Sequence, residues 1–252
     1  MLKVEDVTLR FGGLTAVNHM SMEVHDGTIT GLIGPNGAGK TTFFNLVSGV
    51  YKPDSGDIKF DGKNIAGLPS YKINQAGISR TYQVINLFTK MTVLENILVG
   101  MHSKLNCNLI SSLLRLPEQK KEEREARKKA MEWLEFVGLS GYENELASSL
   151  SYGGQRLLEI ARGLASNPQL LLLDEPAAGM NTKEKDDLFR LLKKITNLGV
   201  SILIIEHDMK LVMNVCDYIY VLYYGQKLSE GIPSVVQKDP KVVEAYLGGG
   251  NK

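Results

Sequence analysis

Gly34-Pro35-Asn36-Gly37-Ala38-Gly39-Lys40-Thr41 is the stretch whose reading decides the fold. It satisfies the template G-x-x-x-x-G-K-[ST] at each fixed position, and its flanks have the character that template requires. Ile29–Ile33 is a short apolar run that reads as a strand leading in, and Thr42-Phe43-Phe44-Asn45-Leu46-Val47 reads as a helix leading out. Glycines let successive backbone N–H groups converge on phosphate oxygens, and the helix N-terminus adds its positive end. Gly34, Asn36, Gly37, Gly39 and Thr42 then belong to a phosphate cradle. Lys40 would reach the β- and γ-phosphates, and the Thr41 hydroxyl would sit on Mg²⁺. The pattern predicts a nucleoside-triphosphate site.

Composition narrows the setting. The 252 residues suffice for one large domain, and a hydrophobic share of 43% with 23% charged residues is ordinary for a globular protein in water. A formal net charge of +1 argues against a broad basic surface for nucleic acid. Cys107 and Cys216 stand far apart, with neither disulfide nor metal-ligand spacing, which fits a reducing cytosol. The start, Met1-Leu2-Lys3-Val4-Glu5-Asp6, lacks the apolar core of a signal peptide. The longest apolar runs, such as Leu170–Leu173 and Ile202–Ile205, fall far short of the ~20 residues needed to cross a bilayer. A soluble protein is expected, which leaves room for a membrane-embedded partner.

Outward from the loop, the first third reads as strands. Val7, Leu9 and Phe11 alternate with polar residues, as do Met20, Met22 and Val24, and Ile58 and Phe60 run into the hairpin signal Asp61-Gly62. These predict a small antiparallel layer. From about residue 90 to 165 helix dominates: Ala126, Ala130, Trp133, Leu134 and Val137 recur at helical spacing within the charged segment Glu118–Val137. Residues 103–117 show no clear period and read as a loop with a short helix. Beyond them, the apolar runs Leu170–Leu173, Ser201–Ile205 and Tyr218–Tyr224 alternate with helical stripes on Leu188–Leu198 and Leu211–Val215. Short apolar strands alternating with amphipathic helices predict an α/β fold with a mostly parallel, helix-covered sheet.

Two further constellations carry chemistry. Leu170–Leu173 ends in Asp174-Glu175. Asp174, at the end of the strand, is placed to hold Mg²⁺ through water beside the phosphate loop, and Glu175 to polarise an attacking water as general base. Leu150-Ser151-Tyr152-Gly153-Gly154-Gln155-Arg156 is a polar glycine turn opening an amphipathic helix. Ser151 can act simply as an N-cap, or Ser151 and Gly153 can form a second anion site. Two phosphate-gripping turns in one chain suggest a nucleotide held between two copies.

Phosphate loop, serine-glycine turn and Leu-Leu-Leu-Leu-Asp-Glu, in this order, resemble the ATP-binding cassette of ABC transporters over nearly the whole chain, from about Leu2 to Leu247. The resemblance implies ATP and Mg²⁺ as ligands and a P-loop NTPase fold: one domain over 1–252, an α/β core with an N-terminal antiparallel β layer at 1–88 and 166–252, and an inserted α-helical subdomain at 89–165. It implies that Phe11 stacks on adenine. Gln83, in Arg80-Thr81-Tyr82-Gln83, reaches metal and water and couples to the membrane partner. His207, in Glu206-His207-Asp208, contacts the γ-phosphate, and Gly179-Met180-Asn181 communicates between two cassettes. Partners implied are integral membrane permease subunits, a second cassette (a copy or a paralogous ATPase subunit) and, indirectly, a solute-binding protein. The location implied is cytoplasmic, peripheral to the inner face of the cell membrane.

Two departures stand out. The family's turn usually reads Leu-Ser-Gly-Gly-Gln, whereas Tyr152 holds the third position here and Gly154 the fifth. Asn181 stands where Asp is usual, and Thr182 replaces a frequent Pro. Phe11–Val17, Leu157–Arg162, Asp174–Asn181, Ile205–Met213 and the ending Glu244–Gly248 resemble the cytoplasmic ATPase of branched-chain amino-acid importers, and the length after His102 fits the larger of that transporter's two ATPase subunits. A lipopolysaccharide-exporting cassette shares much of the pattern. A soluble cassette ATPase would usually bring a second cassette or a long coiled coil, and a P-loop kinase would need neither the Ser151 turn nor His207.

Overall fold

The computed structural model describes residues 1–101 and 117–247. The loop expected over 103–117 lies outside these residues except for Pro117, which opens a helix, and Cys107 lies outside them too. In chain order the strands are β1 (Leu2–Phe11), β2 (Leu14–Val24), β3 (Ile29–Ile33), β4 (Ser55–Phe60), β5 (Lys63–Asn64), β6 (Ile78–Arg80), β7 (Leu170–Asp174), β8 (Ser201–Ile205), β9 (Tyr218–Tyr223) and β10 (Gln226–Gly231). The helices are α1 (Lys40–Val47), α2 (Ser70–Ala76), α3 (Val93–Met101), α4 (Pro117–Phe136), α5 (Tyr152–Ala165), α6 (Thr182–Asn197), α7 (Met209–Val215), α8 (Pro233–Val236) and α9 (Pro240–Leu247).

Two sheets form. The antiparallel layer has the order β2-β1-β4-β5, and the larger sheet runs β10-β9-β3-β8-β7-β6. From β9 to β6 all pairings are parallel, and only β10 joins antiparallel, at the edge. Burial explains the sequence pattern. Each residue of β3, β7 and β8 is buried, because the sheet is covered on both faces and therefore reads as an unbroken apolar run. Side chains alternate between two cores. Leu171, Leu173, Ile202, Ile204 and Val221 pack with α5, α6 and α7. Leu170, Leu172, Leu203, Ile205 and Leu222 pack with Phe43 and Phe44 of α1 and with the antiparallel layer.

Helices α3, α4 and α5 lie between β6 and β7 in the chain and pack on one another. Ala126, Ala130, Leu134 and Val137 are buried and Trp133 is partly buried against the same core, so the expected stripe of α4 is its packing face. The topology gathers function at one edge. The phosphate loop follows β3, Asp174 ends β7, Glu206 follows β8, and Arg80 ends β6. In open α/β sheets that edge, at the carboxyl ends of the parallel strands, is where ligands bind. Among the described residues no helix is long and apolar enough to cross a membrane.

Candidate active site

Gly34–Thr41 leaves β3 and enters α1 as a tight arch whose glycines are dictated by crowding. Gly34 has φ +152°, and a Cβ there would lie 2.1 Å from the Leu222 carbonyl oxygen of β9. Gly39 has φ +102°, and a Cβ would lie 2.4 Å from the Ala16 carbonyl oxygen of β2. Both contacts are with backbone, so neither can yield. The loop is thus wedged between the two sheets. Lys40 folds back along it, its Nζ donating to the carbonyls of Gly34 at 2.7 Å and Pro35 at 2.9 Å. Burial lowers the pKa of this ammonium, and the nearby Glu175 and Asp174 carboxylates oppose that shift.

A cavity of 490 Å³ opens over the loop and is lined by Asn36, Gly37, Gly39, Lys40, Thr41 and Thr42. Phe11, Gln83 and Glu175 also line it, so the predicted adenine platform, the glutamine and the acid face the loop across one space. Phe11 is exposed, with its ring edge-to-face on Tyr51 at 5.2 Å. That contact braces an apolar surface that would otherwise gain little by staying put. Glu175 takes a left-handed backbone conformation, φ +48°, an uncommon geometry for a residue with a side chain and one that recurs at active sites. Its Oε2 accepts from Gln83 Nε2 at 3.2 Å and lies 3.6 Å from His207 Nδ1. Gln83 and His207, from two other stretches of sequence, thereby converge on one carboxylate.

Asp174 does not line that cavity. It is buried, and its Oδ2 accepts from Arg80 Nη2 at 3.1 Å. Burial raises its pKa, with Arg80 the main opposing influence. Its Oδ1 is buried without a hydrogen-bond partner. An orphaned carboxylate oxygen, on a carboxylate close enough to Lys40 to act on its charge, fits Mg²⁺, which takes few protein oxygens and completes its shell with water and phosphate. Among the described residues there is no cluster of three or more His, Cys, Asp or Glu side chains that could hold an ion.

Ser151 and Gly153 are placed elsewhere. Ser151 is the N-cap of α5, its Oγ accepting from Gly154 N at 3.2 Å. With Gly153 and Gly154 it lines a different cavity, of 370 Å³, beside Leu139, Met180 and Glu184. The departures from the family pattern find local explanations there. Asn181 caps α6 in a reciprocal box: its Oδ1 accepts from Glu184 N at 3.0 Å, and Glu184 Oε2 accepts from Asn181 N at 2.9 Å. Asn serves as well as Asp in that role. Tyr152 lies against Gly179, where a Cβ would meet the ring at 3.0 Å.

Sequence reading missed several participants. Tyr224, Thr15, Ala16 and Gly225 line the nucleotide-sized cavity; Thr15 and Ala16 lie within the Phe11–Val17 stretch, but nothing in their residue type marks them as site residues. Arg80, a neighbour of Gln83 in the sequence, also donates to Asn45 Oδ1 of α1 at 2.7 Å and to Oγ of Ser48, the residue that ends that helix, at 2.8 Å. A buried Glu206 follows β8, its carboxylate accepting from the N–H groups of Ala177 at 2.9 Å and His207 at 3.2 Å. Burial raises its pKa against those two bonds.

With that geometry in hand, comparison with known proteins defines the class. A family model described as ABC transporter matches residues 17–178, and one described as branched-chain amino acid ATP-binding cassette transporter matches 226–251. The chain belongs to the ABC transporter family as an ATP-binding cassette, and it is an ATPase. More particularly, it is 47% identical over 249 residues, 98% of each chain, to the high-affinity branched-chain amino acid transport ATP-binding protein BraF of Pseudomonas aeruginosa. The crystal structure of a nucleotide-free cassette from an ABC transporter superposes with a TM-score of 0.85 at 36% identity, covering 98% of each chain. The cassette MJ0796, solved as a dimer in a post-hydrolysis state with ADP and Pi, gives 0.78 at 26% identity over 92% of this chain and 99% of that one.

Proposed function

We propose that this chain powers the import of branched-chain amino acids, hydrolysing ATP as one of two facing cassettes docked on membrane permease subunits at the inner face of the cell membrane. Two copies of the chain suffice to build the composite site, with a paralogous ATPase subunit the equivalent partner in an assembled transporter. A solute-binding protein would deliver the amino acid. Within each cassette residues 1–88 and 166–252 act as the catalytic core, and 89–165 as the helical insertion.

The observation that carries the hydrolytic reading is the convergence of Gln83 and His207 on the Glu175 carboxylate at the wall of the Lys40 cavity. The adenine stacks on Phe11, and the phosphates lie on the N–H groups of Gly34–Thr41. Lys40 leaves its two carbonyl partners for the β- and γ-phosphates. Ser151 and Gly153 of the facing cassette close the other side. Glu175 accepts the proton of the attacking water, Gln83 orients that water, and His207 contacts the γ-phosphate. Thr41, Gln83 and Asp174 would hold Mg²⁺, which would supply positive charge against the phosphates. In this reaction class such positioning and electrostatics supply most of the acceleration.

The branched-chain assignment rests on likeness to the named relative along nearly the full chain and on the match at 226–251. Co-purification from membranes tests it. The permease that comes down with this chain should show ATP hydrolysis stimulated by a receptor loaded with leucine, isoleucine or valine. Stimulation by another solute class alone would overturn the solute assignment while leaving the ATPase intact.

A further inference from the structure

The segment 82–88, which carries Gln83, has no strand or helix of its own. Its backbone polar groups must find partners elsewhere, and at Tyr82, Gln83, Asn86 and Phe88 buried side chains supply them. Arg156 of α5 is fully buried. Its Nη1 donates to the Tyr82 carbonyl at 2.6 Å, and its Nη2 to the Gln83 carbonyl at 2.7 Å. The same Nη1 donates to Glu159 Oε2 at 2.6 Å, while Glu159 Oε1 accepts from Tyr82 N at 3.5 Å and Asn86 N at 3.3 Å. One turn further, the Arg162 guanidinium lies 5.8 Å from the Phe88 ring centroid. Residues 156, 159 and 162 share one helix face at threefold spacing. Asn96 of α3 completes the set, accepting from Phe88 N at 2.9 Å and donating to Phe88 O at 3.1 Å.

We propose that the buried Arg156–Glu159 pair is a positioning device that fixes the backbone at Gln83, so that the Gln83 carboxamide meets Glu175 only when α5 is correctly placed. The proposal rests on the composite-site reading and deepens it. Helix α5 is capped by Ser151, the residue offered to the partner's nucleotide. Hydrolysis at one site is therefore tied through five residues of rigid helix to occupancy of the other. A guanidinium is needed because its planar fork serves two carbonyls and a carboxylate at once, which an ammonium on a flexible stem cannot do.

Arg156→Lys keeps the charge beside Glu159 and loses the fork. It should lower kcat about tenfold with the KM for ATP changed less than about twofold, because the phosphate loop is untouched while water positioning is relaxed. In a Gln83→Ala background the same change should have no further effect on kcat, since residues acting through one another are non-additive. Glu159→Gln, which keeps an acceptor for Tyr82 and Asn86, serves as the second variant if Arg156→Lys does not fold, with the same expectations. An unaltered kcat in the single variant, or losses that multiply in the double variant, would overturn the positioning role while leaving the composite site standing. A Gln83→Ala enzyme as fast as wild type would instead remove the assigned role of Gln83, and this proposal with it.

Discussion

The chain carries two turns suited to anions, and the structure treats them differently. The Gly34–Thr41 arch is wedged between the sheets, its two crowded glycines fixed by backbone neighbours and its lysine held in reserve on its own carbonyls. The Ser151–Gly154 turn sits at the start of a helix, spends its hydroxyl on its own cap and faces a separate cavity. Only the first has catalytic groups around it. A turn with a cap, and with no lysine among the residues that line its cavity, is half of something. The difference is what the proposed site, with the nucleotide's two sides supplied by two molecules, requires.

The comparison can be broken most severely at Lys40. Lys40→Ala should reduce ATP hydrolysis by about a thousandfold or more, since one cationic contact to the transferring phosphoryl group is worth several kcal/mol, whereas the protein should fold; steady-state phosphate release and circular dichroism check both halves. Next in size is a contrast of glycines. Gly34→Ala drives a methyl into the Leu222 carbonyl, and should cost about 3 kcal/mol or more of stability. Gly153→Ala meets only the end of the Glu184 side chain, at 2.8 Å, and should cost about 1 kcal/mol as the α6 capping box yields. Equal losses in denaturant titrations would mean that the two turns are built alike.

The smallest effect concerns the segment that bears His207. Asp208 caps α7 through Leu211 N and pairs with Lys185 of α6 at 2.7 Å. That pair holds its pKa below the ordinary value of 3.8. A depressed carboxylate pKa adds stability that is present above the unfolded value and lost as pH falls through the folded one. Asp208→Asn keeps the cap, so it should cost about 0.5–1 kcal/mol at pH 7, the worth of a partly exposed pair. The gap from wild type should close below about pH 4. A gap that persists at acid pH would assign the loss to the cap instead.

Much of this was legible in the sequence. The loop, the Asp174-Glu175 end of a buried strand and the alternating apolar runs were readable because motif and periodicity are local. What escaped was non-local or brief. Strand β6 has three residues, two of them polar or charged, and shows no alternation, yet it takes a full place beside β7. Helix α3 lies within the stretch expected to be helical from about residue 90, but that its Val93, Leu94 and Ile97 pack into the helical core was not read from it. Arg156 and Glu159 stand in the sequence only as members of the Leu150–Arg156 turn and the Leu157–Arg162 stretch. Only the fold shows that they are buried under the Gln83 segment.

The central claim is that ATP is gripped by Lys40 of one cassette and Ser151 of another, and it is tested most directly by mass in solution. Glu175→Gln should bind ATP without hydrolysing it, and should shift from the 27.8 kDa monomer to twice that mass when ATP is added, as read by light scattering. Adding Ser151→Arg should leave ATP binding intact and hold the chain at the monomer mass. A Ser151→Arg chain that dimerises as readily as its parent, or a parent that stays monomeric in saturating ATP, would contradict the composite site.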